Sequence, residues 1–137
     1  MCMYDGDDPP AFYNATTPTA RKAHRCCECR RTIEPGERYE SVTAKWDMGV
    51  STYKTCRHCD AAKHWLEVEC NGYLFEAVEE DLEQHFDEQP DLHLGRLIIG
   101  IRHQWRVRHG ARAGGLMDEL VGSPATWEAK RAPAMMR

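Results

Sequence analysis

Two Cys-x-x-Cys pairs, Cys26/Cys29 and Cys56/Cys59, constrain this 137-residue chain more than any other feature. Such a turn sets two sulfurs on one side of an ion and leaves backbone N–H groups free to hydrogen-bond them, which spreads thiolate charge. Two pairs a hairpin's length apart offer four thiolates to one tetrahedral zinc ion. Cys26, Cys29, Cys56 and Cys59 are therefore the predicted ligands of a single structural Zn2+. Binding of that kind contributes about 10–16 kcal/mol of apparent free energy in small zinc domains, beyond what a small apolar core supplies alone.

The 26 residues between the pairs carry the pattern of a β-hairpin. Pro35-Gly36 marks a turn. Tyr39–Trp46 holds β-branched and aromatic residues, Asp47-Met48-Gly49 supplies a reversal, and Val50–Thr55 returns as a second strand. From Cys56 onward Ala62, Trp65, Leu66 and Glu69 fall at helical spacing, with Asn71-Gly72 as the stop. The second cysteine pair then sits at a helix N-terminus, where the dipole favours negative sulfur. Two more helices are predicted. Leu74–Glu88 places Leu74, Phe75, Val78, Leu82 and Phe86 on one side, and Pro90 ends it. Leu92–His109 places Leu94, Leu97, Ile98, Ile101 and Trp105 on one side, and Gly110 closes it. The expected organisation is a flexible arm over 1–20, a metal module over 21–70, a two-helix extension over 71–112 and a loosely ordered tail over 113–137. The fold class is α+β.

Charge is segregated along the chain. The formal net of −4 combines −3 over residues 1–20, +4 over 21–65, −10 over 66–91 and +5 over 92–137. A dedicated nucleic-acid binder is usually basic overall, so this balance weakens that reading. The first ten residues show neither the basic nor the apolar region of a signal peptide, and Leu97-Ile98-Ile99 is too short a run to span a bilayer. The expectation is a reducing bacterial cytoplasm, where paired Cys-x-x-Cys turns serve as metal ligands.

Other residues near the pairs compete poorly as ligands. Cys27-x-Cys29 is a worse chelating turn than Cys26-x-x-Cys29, and four cysteines leave no place for His24, His58 or His64, which are expected to be solvent-facing or partly packed. Cys70 is expected as a small buried residue near a helix end. Four thiolates also close the coordination sphere, whereas catalytic zinc keeps a position open. No phosphate-cradling glycine loop, His-Glu-x-x-His or Gly-x-Ser-x-Gly occurs, so the chain is not expected to be an enzyme.

A turn-borne pair, a hairpin and a helix-borne pair follow one another in the order of a treble-clef zinc finger. Residues 26–66 resemble that family, with Ile33, Gly36, Glu37 and Tyr39 where many such fingers place a hydrophobic residue and a tight turn. The resemblance implies a knuckle, hairpin and helix around a structural metal, followed here by a helical hairpin; it implies no single function. The stretch from His24 to Gly110 also resembles small cysteine-rich proteins of bacteriophage and prophage genomes. The matching residues are the two cysteine pairs, Gly36-Glu37-Arg38-Tyr39, Glu80-Asp81-Leu82, Leu94-Gly95-Arg96-Leu97 and Trp105-Arg106. That similarity implies a phage setting and supplies no activity.

Two binding functions follow as expectations. In the first, a zinc-stabilised, phage-encoded protein grips a host protein as an adaptor or as an inhibitor of a host factor or defence system. In the alternative, the basic residues around the metal bind nucleic acid. Trp46 at the hairpin tip, with Arg30, Arg31 and Arg57 near the cysteines, are the candidate partner contacts, whereas Trp65 and Trp105 lie on predicted buried stripes. The acidic second helix and the basic third are expected to meet along a seam, with the remaining charge solvated. Neither a membrane nor a small-molecule substrate is expected as a partner.

Overall fold

The computed structural model describes residues 12–46 and 49–106. Among them the chain is mixed α+β: strands β1 (Phe12–Thr16), β2 (His24–Arg25), β3 (Thr32–Ile33), β4 (Tyr39–Trp46) and β5 (Gly49–Cys56), then helices α1 (Arg57–Cys70), α2 (Val78–Glu88) and α3 (Leu92–Arg102). The strands form an antiparallel sheet in the order β1-β4-β5 and a small β2-β3 ribbon. The tail over 113–137 lies outside the described residues.

The hairpin read from the sequence is β4–β5, paired from Tyr39 opposite Cys56 to Trp46 opposite Gly49. Phe12–Thr16 corrects the expected arm: it is a third strand, in register with Ser41–Lys45. An edge strand needs little apolar content of its own, because the open backbone groups of β4 supply the pairing. The chain from β1 onward is also tied down. Thr19 bridges Arg38, Ala20 exchanges backbone hydrogen bonds with Gly36 and Glu37, and Ala20 is buried.

Register gives the sheet two unlike faces. Glu40, Val42 and Ala44 of β4, with Thr55 of β5, are buried. On the opposite face Phe12, Lys45 and Val50 form one cross-strand row, with Asn14, Thr43 and Thr52 in the next. Thr16, Ser41 and Lys54 complete a third row. Every residue of these rows is exposed or partly exposed.

The buried face holds a polar cluster that hydrophobic patterning does not reveal. Lys63 of α1 is fully buried, ion-paired with buried Glu40, 3.1 Å from Thr55 Oγ1 and 4.0 Å from Asp60. Burial works against its charge, but Glu40, Tyr73 and Asp60 more than compensate and hold the ammonium protonated well beyond the ordinary lysine range. Its Nζ also lies 4.8 Å over the Tyr73 ring.

Two helix boundaries differ from expectation for identifiable reasons. The second helix begins at Val78, not Leu74. Tyr73 is drawn fully into the core, Phe75 stacks on Tyr53 at 4.2 Å, and Glu76 adopts a left-handed φ of 66°. The third helix ends at Arg102, before the expected His109. Gln104 and Trp105 take φ of 55° and 61°, and Trp105 N–H returns 2.6 Å to the Gly100 carbonyl. Asp91 caps α3 by accepting from Leu94 N–H at 3.1 Å. Leu82 and Val78 pack with Leu94, Leu97, Ile98 and Ile101 in one core that runs on into the cysteines. Each such aliphatic burial contributes about 1.5–3 kcal/mol. The expected seam forms at its outer end, where Arg102 meets Glu83 at 2.7 Å and Glu79 at 3.6 Å.

Gly100 lies directly beneath the Trp105 indole, and a Cβ there would overlap the ring. Gly100→Ala is expected to destabilise the fold by about 1–3 kcal/mol, read as a lower urea midpoint; an unchanged midpoint contradicts this packing. Glu40→Gln strands the Lys63 charge and is expected to cost about 3–5 kcal/mol, whereas Glu40→Met with Lys63→Met recovers most of that loss. A double variant no better than the single one contradicts the pairing.

Candidate metal centre

Two chain segments, the β2–β3 turn and the β5–α1 junction, deliver the cysteines to one point. The first pair lies on the turn between β2 and β3, a knuckle closed by Cys26 N–H to Arg31 C=O at 2.9 Å and Arg30 N–H to Cys26 C=O at 3.1 Å. Arg30 takes the left-handed φ of 68° that lets the chain reverse after Cys29. Cys56 ends β5 and is the N-cap of α1, its sulfur accepting from Cys59 N–H at 3.4 Å. Cys59 therefore sits in the first helical turn, where unpaired N–H groups and the dipole favour negative charge.

The sulfurs of Cys26, Cys29, Cys56 and Cys59 all lie within 4.8 Å of one another, and all four residues are buried. A thiolate tetrahedron with metal–sulfur bonds of about 2.3 Å has edges of about 3.8 Å. The Cys29 and Cys56 sulfurs are 3.8 Å apart. The donor set thus fits one bound metal ion with no ligand position left over.

Hydrogen bonds around the sulfurs are already in place. Glu28 N–H and Cys56 N–H donate to Cys26 Sγ at 3.4 and 3.3 Å. Trp105 Nε1–H donates to Cys59 Sγ at 3.2 Å from 46 residues away. Such donors disperse thiolate charge and fix the ligands' orientation. Hydrogen bonds from Cys29, Cys56 and Cys59 pull the Cys26 thiol far below its ordinary range, while burial pushes Cys56 and Cys59 well above theirs. A divalent ion bound among the four sulfurs would favour their ionised form.

Cys27 takes no part. Burial, followed by the Glu28 carboxylate, pushes its thiol up to about 12, and its sulfur faces Thr55 Oγ1 at 3.6 Å. Cys70 is buried at the end of α1 and disulfide-bonded, so it is no free ligand. His58, expected to be solvent-facing or partly packed, is fully buried; its Nδ1 lies 3.2 Å from Arg31 Nη2 and its ring stacks 5.4 Å from Trp105. His24 contacts Tyr39 Oη and Lys54 Nζ, and His64 is partly buried beside Glu67.

The candidate contact residues divide. Arg30 is exposed. Arg31 is corrected: it is 4 % exposed and bidentate to Glu37 at 2.9 and 3.1 Å, so it braces the centre instead of meeting a partner. Burial opposes its charge, but Glu37 and the Cys56 sulfur raise its affinity for the proton further still. Arg57 is partly buried, 3.9 Å from the same carboxylate. Trp46 is partly buried, edge-on to Tyr53 and Phe75. Sequence reasoning missed Glu28. Its carboxylate accepts from Glu76 N–H at 2.8 Å and Val78 N–H at 3.3 Å, tying the knuckle to the start of α2. Its position between two ligands was the available signal.

Trp105→Phe keeps an aromatic ring but removes the N–H on Cys59, and is expected to lower metal affinity about 10- to 100-fold in chelator competition; equal affinity contradicts the role of that bond. Burial raises Glu37, but hydrogen bonds from Arg31 and from Glu34 N–H outweigh it and hold the carboxyl below its ordinary 4.5. A lowered carboxylate stabilises the fold above its unfolded pKa and loses that contribution as pH falls through its folded value. Glu37→Gln is therefore expected to flatten the acid limb of the stability–pH curve; a parallel limb contradicts the assignment.

Compared with known proteins, the chain matches no family model, no curated protein and no solved structure, so a functional reading rests on this site and its surroundings.

Proposed function

We propose that this protein is a non-enzymatic binding module held together by one structural zinc ion in a treble-clef finger. The observation that carries the reading is the buried set of four sulfurs within 4.8 Å. Zinc is the ion best suited to four thiolates in a tetrahedron. The succession of knuckle, β4–β5 hairpin and helix α1 around that set supports the treble-clef assignment. Four protein ligands occupy all tetrahedral positions and leave none for a reacting water, which supports binding over catalysis.

Two partner classes have support on the surface. The uncovered sheet face, with lysines and no acidic residue among its three rows, favours a polyanion. The exposed carboxylates of Glu76, Glu80 and Asp87 favour a basic protein, and the phage resemblance makes a bacterial host factor the natural candidate for such an adaptor or inhibitor. No helix among the described residues is long and apolar enough to cross a membrane.

Elemental analysis of natively purified protein is expected to give one zinc per chain. Cys56→Ser or Cys59→Ser is expected to abolish that stoichiometry and unfold residues 21–70, with circular dichroism showing the same collapse on chelation. A metal-free native protein, or an unchanged spectrum in chelator, contradicts the proposal.

A further inference from the structure

Among the described residues the β1-β4-β5 sheet packs against the core with one face, and the residues of its other face are exposed or partly exposed. Its other side carries Lys45 and Lys54, a set of hydroxyl and amide side chains, and the 53 % exposed ring of Phe12 beside Lys45. Thr43 and Thr52 hydroxyls, 3.4 Å apart, mark its middle row. At one end Lys54 Nζ reaches His24 Nδ1 at 3.3 Å, where a cleft lined by Arg21, Lys22 and His24 opens against Tyr39. Among the described residues no carboxylate stands in the three rows of this face or in the lining of the cleft. Arg21, Lys22 and Lys45 are in no ion pair among the described residues.

We propose that this face binds single-stranded nucleic acid, with phosphates along Lys45, Lys54 and the Arg21–Lys22 cleft and a base stacked on Phe12. The inference rests on the binding-module reading and gives it a ligand class. Charge complementarity selects a polyanion, because cations with no acidic partner attract successive phosphates at little desolvation cost. The exposed aromatic selects a single strand. A duplex keeps its bases stacked on one another and has nothing to offer Phe12, whereas an open strand presents π-faces to it. Hydroxyl and amide groups between the lysines can hydrogen-bond phosphate and sugar oxygens without reading sequence.

The test uses the full zinc-loaded chain and fluorescently labelled oligouridylate and oligothymidylate of about a dozen nucleotides, a length suited to one small binding surface. Anisotropy is expected to show binding at low salt that weakens steeply as salt rises. Lys45→Ala with Lys54→Ala is expected to weaken it at least about tenfold and to reduce the log–log salt slope by about 1.4, at about 0.7 per phosphate contact. Phe12→Ala is expected to cost about tenfold through lost stacking, while Glu80→Gln on the far helix changes nothing. Preference between the RNA and DNA strands assigns the sugar, and either preference supports the proposal. No binding at low salt, binding indifferent to the lysine and Phe12 variants, or an equal-length duplex bound more tightly than either strand overturns it. Zinc content and circular dichroism of the same samples separate the two readings. Lost strand binding with the metal intact refutes this surface alone, and absence of the metal refutes the module itself.

Discussion

The convergence of four cysteine sulfurs on one point is the constraint from which the rest of the structure follows. A knuckle of four residues and a helix start 26 residues later cannot meet unless the intervening chain turns back on itself. The β4–β5 hairpin is that return path. Its length sets where Cys56 arrives, and Cys56 in turn caps the helix that carries Cys59. Four desolvated sulfurs crowded this closely form a donor set compatible with one bound metal ion at their centre.

The helical hairpin is joined to this centre by direct bonds as well as by apolar packing. Trp105 leaves the end of α3, lies over Gly100 and donates to the Cys59 sulfur. At the opposite end Glu28, inside the knuckle, accepts from Val78 N–H at the start of α2, a capping bond that the Ala77 side chain at the N-cap cannot make. These bonds tie α2 and the end of α3 directly to the cysteine cluster. The buried cations Arg31 and Lys63, each matched to a glutamate, flank the same region.

Spacing and alternation made the cysteine set, the hairpin and helix α1 with its stop at Asn71 legible, because each follows from a local rule. The apolar stripe of α3 was equally plain. What escaped was non-local. Phe12–Thr16 has no pattern of its own and is a strand only because β4 offers an open edge. Lys63, Glu40 and Arg31 are buried beside partners that no local pattern in the sequence announces. The short α2 and α3 were misjudged because periodicity continues past points where Glu28 and Trp105 recruit the chain for other contacts. Within the site, the ligands were evident, whereas the hydrogen-bonding shell around them was not.

These features describe a scaffold built around a buried four-cysteine cluster that can hold a metal ion, with charged residues exposed around it. Lys45 and Lys54 lie on the outer face of the sheet, whereas exposed Glu80 and Asp87 lie on α2. The central claim is most directly tested by X-ray absorption at the zinc edge of the natively purified protein. The account predicts a single shell of four sulfur scatterers at about 2.3 Å. A shell containing nitrogen or oxygen, or fewer than four sulfurs, would contradict it.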